Sequence, residues 1–264
     1  MARVDLQNAE IYYEVDGSGT PLVLIPGFAS GAWSWAWQRD ELAKYFRVIV
    51  FDPRGVAGSA LRDGAEVSIE NIADDVSELL DALGIDAAHI LGISFGGFVA
   101  QEFALRYPRK LRKLLLASTS FGGPNHVAPS REVLAAFAST EGLNTSPRIR
   151  QYLTMAFSPD FVREHSADVD RFCDLRERNV LPETVYLQQL RSAMNFDAKD
   201  RVSEIEAETL VITGENDAVV PPQNSANLAA AIPNARLETI AATGHMAFVE
   251  KADRFNRAVR KFLL

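Results

Sequence analysis

The sequence predicts an α/β fold: a mostly parallel central sheet flanked by helices, interrupted once by a helical insertion. Three observations carry this. Short apolar runs of Val, Ile and Leu recur along the chain, each closed by Gly, Asp or Ser, and runs that are apolar on both faces suit strands buried in a parallel sheet. Segments of helical periodicity lie between them, the alternation that packs helices onto both faces of a sheet. Between about residues 122 and 200 the alternation stops and only helical patterns remain.

Taken in order, Val4 to Val15 alternates like two short strands with a turn near Asn8, and Asp16-Gly17-Ser18-Gly19 is a strong turn signal. The buried-strand runs are Leu22–Ile25, Val48–Phe51, Ala88–Leu91, Leu114–Ala117 and Leu210–Thr213, with a weaker one at Leu237–Ile240. Gln38–Tyr45 reads as a helix. Ser68 to Leu83 reads as another, because Ser68 can cap it, Ile69, Ile72, Val76, Leu79, Leu80 and Leu83 share a face, and Gly84 ends it. Ser94 to Tyr107 is a third, stopped by Pro108. The insertion offers Arg131–Ser139, Pro147–Phe157 and Glu183–Asn195. The expected division is a core of residues 1–121 and 201–264 with a helical cap over 122–200. Open parallel sheets bind ligands at their strand C-termini, so such an insertion is placed to cover a site.

Composition narrows the functional classes. The apolar share of 47% and charged share of 23% are those of an ordinary globular chain. A net charge of −8 with scattered basic residues argues against nucleic-acid binding. The densest basic cluster, Arg106, Arg109, Lys110, Arg112 and Lys113, reads as a solvated connection after a helix. Cys173 is the single cysteine, so no intrachain disulfide forms. The first ten residues contain no apolar signal core and no run approaches a membrane span. The cytoplasm is the expected address, with no membrane partner and a homo-oligomer left open.

The chemistry centres on Gly92-Ile93-Ser94-Phe95-Gly96-Gly97, a Gly-x-Ser-x-Gly sequence between a buried strand and a helix. In that setting the serine sits on a sharp turn and its oxygen projects above the sheet at a helix N-terminus. The bland alternative is a glycine turn whose serine caps the helix. A serine nucleophile needs a base. Of four histidines, His89 lies inside a strand and reads as a core or sheet-edge residue, while His126 and His165 read as surface residues of the insertion. His245, in Thr243-Gly244-His245-Met246 after the last strand-like run, is the best base. The base in turn needs an acid. Asp217, in the turn after Leu210–Thr213, is the expected one, with Glu215 as a nearby competitor; Ser118-Thr119-Ser120, after the preceding strand, contains no acid. An oxyanion hole is expected from the backbone N–H groups of Phe95 and Phe28, the latter in Pro26-Gly27-Phe28, where Gly27 lets the backbone approach.

On Pro26-Gly27-Phe28, Asp52-Pro53-Arg54-Gly55, Gly92 to Gly97, Gly214-Glu215-Asn216-Asp217 with Val220-Pro221, and Gly244-His245, the chain resembles the α/β-hydrolase fold over most of its length. It is similar to small lidded bacterial enzymes that include 3-oxoadipate enol-lactonases, carboxylesterases and C–C hydrolases. The resemblance implies a cofactor- and metal-free serine hydrolase acting on a small-molecule ester or lactone. The alternatives it leaves are C–C hydrolysis of a meta-cleavage-type diketone, cofactor-free perhydrolysis, and a non-catalytic ligand receptor. Three features depart from the family's usual pattern: Pro26 stands where histidine is common, Val56-Ala57 precede Gly58, and Met246 follows His245 where C–C hydrolases commonly carry Trp. A serine at position 94 also argues against dehalogenases, which use Asp. Asp52 and Arg54 read as a turn and an ion pair that hold their loop. Trp33, Tyr152 and Met246 are the expected substrate contacts. Further candidates for the pocket wall are Phe137, Met155, Phe157, Phe161, Phe172 and Tyr186, with Trp35 and Trp37 beside Trp33 near the oxyanion loop; Cys173 reads as a small buried hydrophobe.

Overall fold

The computed structural model describes residues 2–264; Met1, where the expected core begins, lies outside the described residues. Its nine strands are β1 Ala2–Asp5, β2 Ala9–Asp16, β3 Pro21–Ile25, β4 Arg47–Phe51, β5 Ala60–Leu61, β6 Ala88–Ile93, β7 Leu111–Ala117, β8 Thr209–Gly214 and β9 Ala235–Ile240. They form one sheet in the order β1-β2-β4-β3-β6-β7-β8-β9, with β5 pairing to β2. β1 and β2 are antiparallel to their neighbours, whereas the pairs from β4 through β9 are all parallel. Every residue of β6 and of β8 is buried, which is why these runs carry no polar alternation.

The helices are α1 Arg39–Leu42, α2 Ile69–Ala82, α3 Phe95–Arg106, α4 Arg131–Ala138, α5 Ser146–Thr154, α6 Pro159–Glu164, α7 Ser166–Glu177, α8 Glu183–Asn195, α9 Pro222–Ala231, α10 Ala247–Glu250 and α11 Ala252–Leu263. α2 has the expected mechanism. The Ser68 side chain accepts from the Asn71 N–H, and Ile69, Ile72, Val76, Leu79 and Leu80 are buried. Such a cap stabilises a helix by about 1 kcal/mol. α4 to α8 all lie between β7 and β8, within the expected insertion.

Several elements differ from expectation. α1 is one turn long; the chain then turns through residues 43–46, burying Phe46, and enters β4 at Arg47. β6 runs two residues past Leu91, which brings the strand to the position before Ser94. β5, α6, α7 and the helices after β8 were not anticipated; α7 in particular is largely polar and buries only Val169, Phe172, Cys173 and Arg176. The loop after β4 is held as a turn and an ion pair, but the pair is not internal. Asp52 accepts from the N–H groups of Ala32 (2.8 Å) and Gly58 (2.9 Å). Arg54 instead donates from Nε (2.7 Å) and an Nη (2.6 Å) to Asp75 of α2, both side chains being buried. A two-point pair of this kind fixes the loop's position against α2. Among the described residues, no helix is long and apolar enough to cross a membrane.

Candidate active site

Ser94 stands between β6 and α3 with φ 54° and ψ −119°, a conformation that a side chain adopts only under constraint. Backbone contacts impose it. The Ser94 N–H donates to Ala117 O of β7 (2.8 Å), and its carbonyl accepts from Thr119 Oγ1 (2.8 Å) and the Gly97 N–H (2.8 Å). The flanking glycines are required by space: a Cβ on Gly92 would lie 2.1 Å from Gly96 O, and one on Gly96 would lie 2.4 Å from Ile25 O and Pro26 O. These contacts make the Gly-x-Ser-x-Gly spacing a steric necessity of the turn. Gly27 is different, because a Cβ there would meet Ile93 O at 3.5 Å and Ser94 Cβ at 3.6 Å, both ordinary contacts. The Gly27 loop thus lies against Ser94 without packing within the chain demanding a glycine there.

His245 and Asp217 meet at the C-terminal edge of the sheet, His245 Nδ1 lying 2.8 Å from Asp217 Oδ2. Since a carboxylate only accepts, the histidine proton sits on Nδ1 and Nε2 is left as the free base. Asp217 is buried, and its other oxygen accepts from the N–H groups of Val219 (2.9 Å) and Val220 (2.8 Å). Glu215 instead accepts from the Ala242 N–H at the surface, 2.8 Å away. Ser94 and His245 share the wall of one cavity without a direct hydrogen bond, a separation such pairs commonly show until substrate is bound.

Phe95 is the first residue of α3, and its N–H, like that of Phe28, donates to no acceptor among the described residues. The Phe28 ring packs edge-on against Phe95 (centroids 6.2 Å apart) and Tyr186 (4.7 Å). The next residue, Ala29, donates its N–H to Gln189 Oε1 of α8 at 2.9 Å, so the insertion holds this loop.

Two cavities adjoin at Ser94, Phe28 and Phe137. The smaller, about 50 Å³, is walled by Ser30, Ser34, Tyr152, His245, Met246 and Phe248 among others. The larger, about 260 Å³, is walled by apolar residues of the insertion, Phe196 among them, and by Phe98, Val219 and Val220. Tyr152 and Met246 line the smaller cavity together with Ser94. Trp33 lines neither cavity. Its ring packs edge-on against Phe172 (5.2 Å), and Trp37 packs against the same ring (5.8 Å), so both lie behind Phe172. Phe137 and Phe172 are wall residues, whereas Met155, Phe157, Phe161, Tyr186 and Cys173 are not.

The remaining histidines divide. His89 is a core residue whose pKa burial, with Arg112 and Lys113 nearby, pushes down to about 4. His165 is exposed. His126, expected at the surface, is half-buried and lines the larger cavity. Sequence reasoning also missed Val219 and Val220 as wall residues, whose signal is an apolar pair one residue beyond the acid.

Glu250 is a further residue that the sequence did not single out. Its Oε1 accepts from the N–H groups of Gly244 (2.9 Å) and Ser158 (3.1 Å), and its Oε2 accepts from Ser158 Oγ at 2.5 Å. It thereby ties the residue before His245 to the cap of α6. Glu250→Ala is expected to cost about 2–3 kcal/mol in urea denaturation, since it strands buried donors. Glu250→Gln keeps an acceptor on both N–H groups. Burial raises the Glu250 pKa despite these hydrogen bonds. A raised folded value favours the protonated form, so that contribution is present at low pH and is lost as pH rises through the folded pKa. The stability of Glu250→Gln relative to the parent should therefore grow as pH rises out of the ordinary carboxylate range.

Residues 20–252 match the sequence profile of a family described as the alpha/beta hydrolase fold. A protein of Azorhizobium caulinodans named for carbamate hydrolysis is 28% identical over 97% of this chain and 95% of its own. A 2-hydroxy-6-oxononadienedioate/2-hydroxy-6-oxononatrienedioate hydrolase of Paraburkholderia xenovorans is 32% identical over 96% of this chain and 90% of its own. The solved structure of a thermophilic esterase from Thermogutta terrifontis superposes with a TM-score of 0.86 at 28% identity, covering 100% of this chain and 98% of that one.

Proposed function

The chain belongs to the alpha/beta hydrolase fold family, and on that premise we propose that it is a serine hydrolase cleaving a carboxylic ester or lactone through an acyl-enzyme. The observation that carries this reading is the 2.8 Å contact of His245 Nδ1 with Asp217, which leaves Nε2 free to act as base on a ring that lines one cavity with Ser94. Ser94 Oγ attacks the carbonyl carbon and its proton passes to His245 Nε2. The oxygen charge that develops is held by the N–H groups of Phe28 and Phe95. The carbon–oxygen bond to the alcohol breaks, and the alcohol leaves with the proton from Nε2. Water then gives a proton to His245 and attacks the acyl carbon; the acid departs and Ser94 regains its hydrogen. Two unequal cavities suit a substrate with one bulky apolar limb and one small limb.

C–C hydrolysis is a second reading, favoured by the Paraburkholderia xenovorans relative. The substrates in that name carry carboxylates, yet neither cavity is walled by Lys or Arg. That charge balance favours a neutral ester or lactone. The test is a fluorophosphonate probe with peptide mapping, followed by p-nitrophenyl ester turnover and a panel of ring-cleavage products. Single-site labelling at Ser94 with ester turnover is expected. Turnover of the ring-cleavage products alone would select the second reading, and an unreactive Ser94 in folded protein would turn the assignment toward a receptor.

A further inference from the structure

Only two side chains in the wall of the larger cavity carry a nitrogen or oxygen, Ser94 and His126. The rest of the wall is apolar, with Phe98, Val133, Phe137, Leu190 and Phe196 typical of it. A single imidazole in such a wall is specific in what it offers, because its partners fix its tautomer. His126 Nδ1 lies 3.0 Å from Ser120 Oγ. That oxygen also accepts from the Gly122 N–H at 3.1 Å, and Ser120 is buried. A hydroxyl has one proton to give. The acceptor in reach of it among the described contacts is His126 Nδ1, so Ser120 donates there and the ring's own proton sits on Nε2. No protein group takes that N–H among the described residues.

The ring is also held in place. Gly122 and Gly123 adopt φ of 72° and 67°, and a Cβ on them would lie 2.1 Å from Phe196 O and 2.5 Å from the Asp197 carboxyl. The Gly123 N–H donates to Phe196 O (2.9 Å), and Val127 exchanges two 2.8 Å hydrogen bonds with the Asn224 side chain. A donor fixed on both sides loses little freedom on meeting a ligand. Burial also lowers the His126 pKa, which keeps the ring neutral.

We infer that His126 Nε2–H receives an oxygen acceptor on the bulky limb of the substrate, remote from the scissile carbonyl. The substrate class is then an ester or lactone whose apolar limb carries a ketone, ether or hydroxyl oxygen. This rests on the reading of Ser94 as the attacking group, and deepens it.

The experiment uses two series of p-nitrophenyl or alkyl esters in which one methylene is replaced by a carbonyl, in the acyl limb in one series and in the alcohol limb in the other. In at least one series the oxo ester should be preferred over its methylene partner by roughly 3- to 10-fold in kcat/KM. His126→Phe should bring that ratio to about 1, and His126→Gln, which returns an N–H near Nε2, should keep part of it. Thermal melts verify that both variants fold. Absence of an oxo preference in both series, or a preference that survives in His126→Phe, overturns the inference. Failure of the underlying reading looks different, since turnover of both esters would then persist in Ser94→Ala.

Discussion

Ser94→Ala is expected to lower kcat on a p-nitrophenyl ester by about a million-fold, the scale seen when a serine nucleophile is removed from such a set. The loss is large because the other groups act only through that oxygen. His245 Nε2 has no proton to take, and the N–H groups of Phe28 and Phe95 have no serine-bound tetrahedral intermediate to hold. Ser94→Ala with His245→Ala together should be no slower than either alone, because the two residues act as one unit. The fold should tolerate the change. Position 94 demands a positive φ, and alanine already takes that conformation at Ala29 (φ 55°), Ala57 (φ 46°) and Ala242 (φ 54°). A melting temperature close to that of the parent, combined with lost turnover, therefore locates the effect in the chemistry. Ester hydrolysis that continues at the parent rate would remove Ser94 from the mechanism.

The parts of this site legible in the sequence are those fixed by local sterics. Gly92 and Gly96 flank Ser94 because a Cβ at either would run into backbone oxygens, and that constraint is written in the spacing itself. The parallel strands were legible because burial on both faces removes polar residues from them. Asp217 is expected over Glu215 from its place in the turn, but what distinguishes it physically, the Val219 and Val220 N–H groups closing back on one carboxylate, is visible only in three dimensions. Trp33 and Trp37 stand near the oxyanion loop in sequence, but only the three-dimensional path shows that both pack on Phe172 and line neither cavity at Ser94. α7 escaped notice because its buried stripe is narrow and the rest of it is charged. His126 was illegible for a related reason: its link to Ser120 depends on two successive left-handed glycines turning the chain back.

Asp217→Asn is expected to lower kcat by about ten-thousand-fold with little change in the fold, the effect of a wrong histidine tautomer. The hydrogen bonds of this particular carboxylate say why the amide has no way round it. Oδ1 accepts from the Val219 and Val220 N–H groups, so the carbonyl end of an asparagine must face them. Its NH₂ end is then forced toward His245 Nδ1, where the parent acid accepts at 2.8 Å. Two donors cannot face one another, so the imidazole moves its proton to Nε2. That nitrogen is the proposed base on a ring that lines the cavity with Ser94, and once protonated it has no lone pair to accept the serine proton. An amide turned the other way would set its NH₂ against two backbone N–H groups, which is worse. Glu215→Gln is the matched comparison: the Ala242 N–H keeps an oxygen acceptor at the surface, and kcat should stay within about two-fold of the parent, as for an exposed contact. Steady-state kinetics on both variants separates the two acids. Equal losses, or the larger loss at Glu215, would assign the orienting role to the wrong carboxylate.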